Sequence, residues 1–452
     1  MITKKKLHPI QQAIFPKHVD NSSHHAYARD VYIVDGLRTP FLKARGNPGP
    51  FSASDLAVQA SRQLLLRQRF SPSDFDEVIM GCVNPSENEA NIARIIALRL
   101  GCGKAVPAWT VQRNCGSGMQ AVDCAAQDIR MGRADLVLAG GTEAMSRAPL
   151  LFNYEMVSWL AELQAARSFW QRLRLLTHFR PSFLKPVVSL IHGLTDPVVA
   201  LNMGQTAEIL ASRFNITREQ MDSYAVRSHQ RLASAQQECL ASEVSPLYTA
   251  KGQLYSFDDG VRPDSTLESL ARLRPFFDKK FGLVTAGNSS QITDGAAMLI
   301  LASEEAVKTH QLPILGRLID IQWAALEPEV MGLGPVFATT PILQRHKLRL
   351  DDIDYWEINE AFAAQVLACL ASWQNDAFCQ DHLGLSAALG DIDEARLNVH
   401  GGAIALGHPV GASGARIVLH LLHVLKSRQA KRGIATLCVG GGQGGAMLLE
   451  AA

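Results

Sequence analysis

The sequence has no pair of cysteines in a Cys-x-x-Cys spacing; its eight cysteines are scattered at 82, 102, 115, 124, 239, 369, 379 and 438. That distribution argues against a zinc site and a disulfide framework, and it fits a reducing, cytoplasmic compartment. Net charge is nearly absent: 44 Lys and Arg stand against 43 Asp and Glu, a formal +1. The chain as a whole therefore does not indicate a nucleic-acid partner or an acidic substrate, and any electrostatic contact has to be local. No apolar stretch approaches the roughly 20 uncharged residues of a transmembrane helix, and no P-loop is present to hold nucleotide phosphates. Residues 1–29 lack the apolar core of a secretory signal and carry Lys4, Lys5, Lys6 and Lys17, which reads as a flexible polar tail. An arginine-rich mitochondrial presequence ranks second. The terminal Glu450-Ala451-Ala452 is not a peroxisomal address.

Hydrophobic residues make up 47% of the 452, ample for the core of a multi-domain enzyme. A strand at 30–35, a helix at 54–67, a strand at 77–81 and a helix at 90–100 alternate as in α/β folds. The apolar run at 105–111 leads into Arg113-Asn114-Cys115-Gly116-Ser117-Gly118, and a proline-free helix follows at 119–131. Cys115 thus falls between a strand and a helix, where unpaired N–H groups and the helix dipole favour a thiolate. A buried apolar cysteine is the plainer alternative. The run 134–141 reads as a strand buried on both faces that ends in Gly140-Gly141.

The last third repeats this plan. Strands at 316–323 and 353–358, a helix at 361–373, a helix opened by Gly411-Ala412-Ser413-Gly414 and a strand at 435–439 run in the same order. Cys-Gly-Ser-Gly at 115–118 parallels Gly-Ala-Ser-Gly at 411–414, and Leu-Val-Leu-Ala-Gly-Gly at 136–141 parallels Thr-Leu-Cys-Val-Gly-Gly at 436–441. A duplicated α/β domain would bring both helix ends to one cleft. Between the halves lies a loop-rich stretch with a long helix at 217–241, opened by the capping-box pattern Thr217-Arg218-Glu219-Gln220.

Three further stretches carry reactive groups. Asn359 follows a strand, His408 sits in a Gly-His-Pro loop where its ring need not compete with core packing, and Cys438 ends the last apolar run before Gly440. Taken singly, each also reads as a structural residue. Together, NCGSGMQA at 114–121, NEAFA at 359–363, GGAIALGHPVGASGAR at 401–416 and CVGGGQGGA at 438–446 resemble the thiolase family, from about Val31 to the C-terminus.

The resemblance implies an α/β fold of duplicated thiolase-like domains in five layers (α-β-α-β-α) with an inserted loop domain. Its expected division is a first half at 30–146, a loop domain at 147–271, the end of that half at 272–310 and a second half at 311–452. It implies an acyltransferase that cleaves a 3-oxoacyl-CoA with CoA in fatty-acid β-oxidation, with CoA as co-substrate and no metal. Cys115 is then the acylated nucleophile and His408 its base. Cys438 exchanges protons with the carbanion or CoA, Asn359 holds a water that serves the thioester oxygen, and Gly440 supplies an oxyanion-hole N–H. For CoA it points to Arg262, Ser269, Phe277, Ala286, Ser290 and Ile292, with Met203, Met331 and Phe362 at the thioester end. The chemistry agrees: a thiolate forms a new thioester without a metal, and a departing enolate needs donors at oxygen and a proton at carbon. Acetyl-CoA C-acetyltransfer, ketoacyl synthesis and a non-catalytic acyl-CoA-binding subunit are the alternatives; the Asn359 motif with Cys438 disfavours synthesis.

Two positions depart from common family patterns: Asn202 stands where short-chain relatives often have His, and His400, to which a structural role is assigned, where many have Asn. Residues 150–197 form an extension. Met156, Trp159, Leu160, Leu163, Ala166, Trp170 and Leu173 recur at helical spacing with Arg167, Arg172 and Arg174 elsewhere, the pattern of a basic amphipathic helix. It either packs on its own loop domain or, over 155–192, docks on a membrane surface or a hydratase/dehydrogenase subunit. A homodimer or homotetramer is implied by the resemblance.

Overall fold

The computed structural model describes residues 29–452. The expected tail at 1–29 and its presequence alternative lie outside the described residues, apart from Arg29.

One ten-stranded sheet path runs in the order Tyr355–Ile358, Arg432–Val439, Gln443–Ala451, Gly316–Ala325, Tyr32–Arg38, Thr293–Ala302, Leu136–Ala144, Glu77–Gly81, Ala108–Val111, with Leu42–Lys43 added beside Thr293–Ala302. It is two sheets joined at a narrow seam, where Tyr32 and Ile33 pair with Arg317 and Gly316. From that seam outward each half makes two antiparallel pairings and then a parallel one. The edge pairing is also parallel, Glu77–Gly81 with Ala108–Val111 in the first half and a single Trp356–Leu397 bridge in the second. The repeat legible in the motifs is thus a repeat of strand order.

Period-two alternation assigns the layers. In the first half, Val78, Met80, Leu138, Met298 and Ile300 face outward onto Ala53–Leu65 and Ile92–Leu100. Ile79, Val137, Ala139 and Leu299 face inward onto Ser117–Arg130 and Val410–Ser427, which meet Ala435, Leu437 and Met447 of the second sheet on their other side. Trp356, Ile358, Ile434 and Leu448 face the outer helices Gly334–His346 and Ala363–Gln374. Helix, sheet, helix pair, sheet and helix make five layers.

The two central helices touch at their first turns because glycines let them. A Cβ on Gly118 would lie 2.8 Å from the Gly411 carbonyl oxygen, and one on Gly414 would lie 2.6 Å from the Met119 nitrogen. These are backbone contacts, with no flexible side chain to yield. The approach brings the loops preceding both helices, with Cys115 on one and His408 on the other, to the middle of the molecule.

Between Met145 and Thr293 lie the helices Met203–Arg213 and Arg218–Glu238. The second starts at the expected capping box: the Gln220 N–H donates to Thr217 Oγ1 at 3.2 Å, and Gln220 Oε1 accepts from the Thr217 N–H at 2.8 Å.

The extension departs from expectation. The single helix inferred from the 156–173 stripe is two, Tyr154–Ala165 and Phe169–Thr177. Ser168 Oγ accepts from the Gln171 N–H at 3.2 Å while Gln171 Oε1 accepts from the Ser168 N–H, a capping box that starts a new helix after the Arg167 break. The stripe divides accordingly. Met156 is buried, and Trp159 stacks edge-on against Phe179, which meets Phe183. Phe169, Trp170, Leu173 and Leu176 are exposed, Trp170 by 74%.

Candidate active site

Cys115 lies one residue before the N-cap Gly116 of Ser117–Arg130 and is half-buried. Asn114 ahead of it adopts φ +42°, a left-handed conformation that asparagine tolerates better than most side chains. Its Nδ2 donates to the Gly440 carbonyl at 2.8 Å, tying the nucleophile loop to the turn after Arg432–Val439. Ser117 closes the loop locally, donating to the Asn114 carbonyl at 2.7 Å and accepting from the Arg113 N–H at 2.9 Å. The N–H groups of Gly440 and of Cys115 itself reach the Cys115 sulfur and pull its pKa down, yet burial outweighs them and the thiol is raised. The thiolate expected from the helix end is therefore not the resting form. Burial outweighs the two N–H donors, so ionisation needs a base.

His408 is that candidate. Contrary to the expected open loop position, it is buried, 7% exposed, beneath the first turn of Val410–Ser427. Its backbone N–H donates to the Gln291 carbonyl at 2.9 Å. Nδ1 lies 2.6 Å from Ser413 Oγ, whose own proton goes to the Pro409 carbonyl at 3.1 Å. With the hydroxyl proton so placed, the oxygen accepts from the ring, an arrangement in which Nδ1 carries the hydrogen and Nε2 the lone pair. Nε2 has no protein hydrogen-bond partner. Burial, and then the Arg416 charge, push the imidazole down to about 4, so near neutral pH it is uncharged and can take a proton.

Asn359 closes Tyr355–Ile358 and is wholly buried; its N–H donates to the Thr436 carbonyl at 2.9 Å. Neither Oδ1 nor Nδ2 of its side chain meets a protein partner. A fully buried amide without partners costs several kcal/mol, on the order of 1–3 per group, unless a ligand or water supplies them. Glu360 next to it is fully engaged, accepting from Tyr224 at 3.1 Å, Asn398 at 3.0 Å, Ser228 at 2.6 Å and the Ile404 N–H at 3.2 Å. It fastens the long Arg218–Glu238 helix over the Asn359 turn.

Cys438 is 1% exposed at the end of Arg432–Val439, opposite Gly444. Burial raises its thiol well above the ordinary range, followed by the charge of a Cys115 thiolate and by Cys369. Cys438 consequently stays protonated beside Cys115 and is a proton donor at rest. His400 is held elsewhere, its Nε2 3.6 Å from Cys239 Sγ and its ring 5.1 Å from that of His420, consistent with its structural assignment.

This architecture agrees with what known proteins show. Residues 31–305 match the thiolase N-terminal domain and residues 312–451 the thiolase C-terminal domain. The chain belongs to the thiolase family. It is 40% identical over 432 residues to the human mitochondrial 3-ketoacyl-CoA thiolase, covering 94% of this chain and 99% of that one. It is 38% identical over 423 residues to a 3-ketoacyl-CoA thiolase of Yersinia pestis (strain Pestoides F), covering 93% and 96%. The crystal structure of the human mitochondrial enzyme in complex with CoA superposes with a TM-score of 0.80 at 38% identity, over 94% of this thiolase and 98% of that chain.

The residues expected to contact CoA fall into two groups. Met203, Phe277 and Phe362 converge. A Cβ on Gly440 would lie 3.3 Å from Met203 Sδ, the Phe277 ring covers Gly204, and the rings of Phe277 and Phe362 stand edge-on with centroids 5.9 Å apart. Met331 is buried in the same cluster. Ser290 and Ile292 flank Gln291, the residue that accepts from His408, and the Ser290 N–H donates to the Ala361 carbonyl at 3.0 Å. Ala286 and Ile292 are exposed at this edge. Arg262 and Ser269 are both exposed. The Arg262 charge acts on Lys43 and His229, and the Ser269 hydroxyl is spent on the Thr266 carbonyl at 2.8 Å.

Sequence reasoning missed Asn114, Gln291 and Ser413. Asn114 and Ser413 stood inside the quoted motifs, and the signals were an asparagine before a glycine-flanked cysteine and a hydroxyl one turn into the helix after Gly-His-Pro. Gln291 contributes a backbone carbonyl, which no side-chain pattern announces.

Proposed function

We propose that this thiolase is a 3-ketoacyl-CoA thiolase, using CoA as co-substrate to convert a 3-oxoacyl-CoA into acetyl-CoA and a shortened acyl-CoA. The reading is carried by one observation: the Asn359 amide, at the end of Tyr355–Ile358, and His408 Nε2, on the loop that the helix contacts bring toward the Cys115 loop, are buried polar groups without protein partners. In this reading His408 takes the Cys115 proton on Nε2, and Cys115 attacks the 3-oxo carbon. The Gly440 and Cys115 N–H groups receive the first oxyanion. The carbon–carbon bond then breaks toward the acetyl-CoA enolate. The imidazolium and a water on Asn359 stabilise its oxygen, and Cys438 protonates its carbon. CoA, deprotonated by Cys438, takes the acyl group from Cys115. Residues 147–271 form the loop domain over this cleft, Phe277, Ser290 and Ile292 line the pantetheine arm, and Arg262 and Ser269 serve the nucleotide end. Incubation with CoA and 3-ketoacyl-CoAs of several chain lengths is expected to release acetyl-CoA; binding without release would reduce the chain to a carrier subunit.

We further assign the enzyme to the cytoplasm as a homodimer or homotetramer, with a hydratase/dehydrogenase subunit as a candidate partner. Among the described residues no helix is long and apolar enough to cross a membrane. The extension instead presents Phe169, Trp170, Leu173 and Leu176 beside Arg167, Arg172 and Arg174, which suits the surface of an anionic bilayer. We expect flotation with anionic vesicles at low salt, weakened by replacing Trp170 and Phe169 with serine. No flotation at low or high salt would leave a protein partner as the occupant.

A further inference from the structure

Glu143 is an acid that the proposed reaction does not use. It belongs to Leu136–Ala144, a strand in which every residue is buried, and is itself 0% exposed. Three backbone N–H groups converge on its carboxylate: Val83 at 2.9 Å, Asn84 at 3.0 Å and Gly411 at 3.1 Å, with the Cys82 thiol at 3.9 Å. Val83 and Asn84 belong to the first half, directly after Glu77–Gly81. Gly411 belongs to the second half, three residues after His408 and at the position matching Cys115 in the internal repeat. Gly411 has no room for a side chain: a Cβ would lie 2.7 Å from Glu143 Oε2 and 2.5 Å from the Thr142 carbonyl oxygen. A single carboxylate thus fastens the first turn after the His408 loop to the half that carries Cys115.

Its charge also reaches the nucleophile. An ionised Glu143 raises the Cys115 thiol. Burial working against the three N–H donors leaves the acid at about 7, so both of its forms are populated near neutral pH. The other groups facing this region are accounted for. Cys82 is a raised, protonated thiol that also feels Glu89, and Cys438 is likewise protonated. Asp294 on the neighbouring strand is occupied by Ser146, and Arg416 on the His408 helix pairs with Glu357 at 3.0 Å.

We propose that Glu143 is a positioning residue of the thiolytic site: it holds the His408 loop in register with the Cys115 helix, and its charge adds to burial in opposing the loss of the Cys115 proton. The proposal rests on Cys115 being the nucleophile. The sign follows from the charge. As pH rises through about 7 the new negative charge opposes thiolate formation, so the thiolate population climbs less steeply than for an isolated thiol.

The test is the rate of Cys115 alkylation by iodoacetamide against pH, with the labelled peptide identified by mass spectrometry, in the wild type and in Glu143→Gln and Glu143→Asp. The wild-type curve is expected to flatten near neutrality. Glu143→Gln should match it below about pH 6 and exceed it about threefold above about pH 8, the equivalent of half a unit in the thiol pKa. Glu143→Asp, still charged, should keep the flattening. Glu143→Gln should also lose at least about tenfold in kcat with KM changed far less, as misplacement of a base rather than of a binding group predicts. A wild-type curve with no inflection near neutrality overturns the proposal even if no variant folds, and so do superposable wild-type and Gln curves. Label on a cysteine other than Cys115 would instead strike at the nucleophile assignment.

Discussion

Cys115→Ala is expected to abolish thiolysis, lowering kcat by a factor on the order of 10⁴ or more, because the acyl thioester is assigned to the Cys115 sulfur and alanine cannot form it. The side chain is half-buried and its loop is held by Asn114 and Ser117 through backbone contacts that alanine leaves intact. Thermal stability should therefore change little, and acyl-CoA should still bind, as measured by calorimetry. Retained turnover would exclude covalent catalysis at this residue. An unfolded variant would show that the cysteine has a structural role, which the packing around it does not suggest.

Cys438→Ser is expected to separate the two halves of the reaction. The thiol, raised well above its ordinary range and buried, is a protonated donor next to Cys115. Serine has nearly the same size but a far weaker acid, so protonation of the enolate and activation of CoA both slow, by about 10²–10⁴. Transthioesterification from a saturated acyl-CoA breaks no carbon–carbon bond and needs no proton at carbon. Cys115 in this variant should still become acylated by such a substrate, more slowly because Cys438 also gives its proton to the departing CoA thiolate, while thiolysis of a 3-oxoacyl-CoA, which needs Cys438 at both carbon and sulfur, is nearly lost. Equal loss of both activities would mean that Cys438 supports the Cys115 site rather than serving the carbon. On the acid side activity is expected to fall in two steps: first as Glu143 gains its proton near 7 and holds the His408 loop less firmly, then as pH falls toward about 4, where the buried His408 ring, the proposed base in its neutral form, gains its own.

The fold was legible wherever a local pattern reported a local cause. Thr217-x-x-Gln220 marked a helix start and the structure starts one there. The apolar run from Leu136 marked a strand buried on both faces. The strand, however, continues through Gly140 and Gly141 to Ala144, because those glycines make room for the Ala297 and Gly411 backbones rather than for a turn. Of their apparent counterparts Gly440 and Gly441, the second does turn, with φ +90°, and Gly442 after it adopts φ +77°. Pattern alone could not separate the two uses of glycine, which depend on what packs across the sheet. Ser168-x-x-Gln171 was visible, but the apolar stripe spanning it favoured one helix over two.

In the candidate site, the motifs made it legible which residues to consider, and their electrostatics were not legible. Glycines around Cys115 and a helix behind it suggested a thiolate, whereas burial raises the thiol, and distant residues such as Trp323 and Val439 close on the neighbouring Gly116. His408 looked like a loop residue because it lies between glycine and proline; it is buried because Gly118, Gly411 and Gly414 draw the two central helices together. Glu143 drew no notice, since its donors are backbone N–H groups from both halves.

Two thiols with unequal tasks are the centre of this account, one carrying the acyl group and the other the proton. Mass-spectrometric mapping of the protein quenched after brief exposure to an isotopically labelled acyl-CoA tests that division directly. The label is predicted in thioester linkage on the peptide containing Cys115; label on the Cys438 peptide, or on neither, would contradict it.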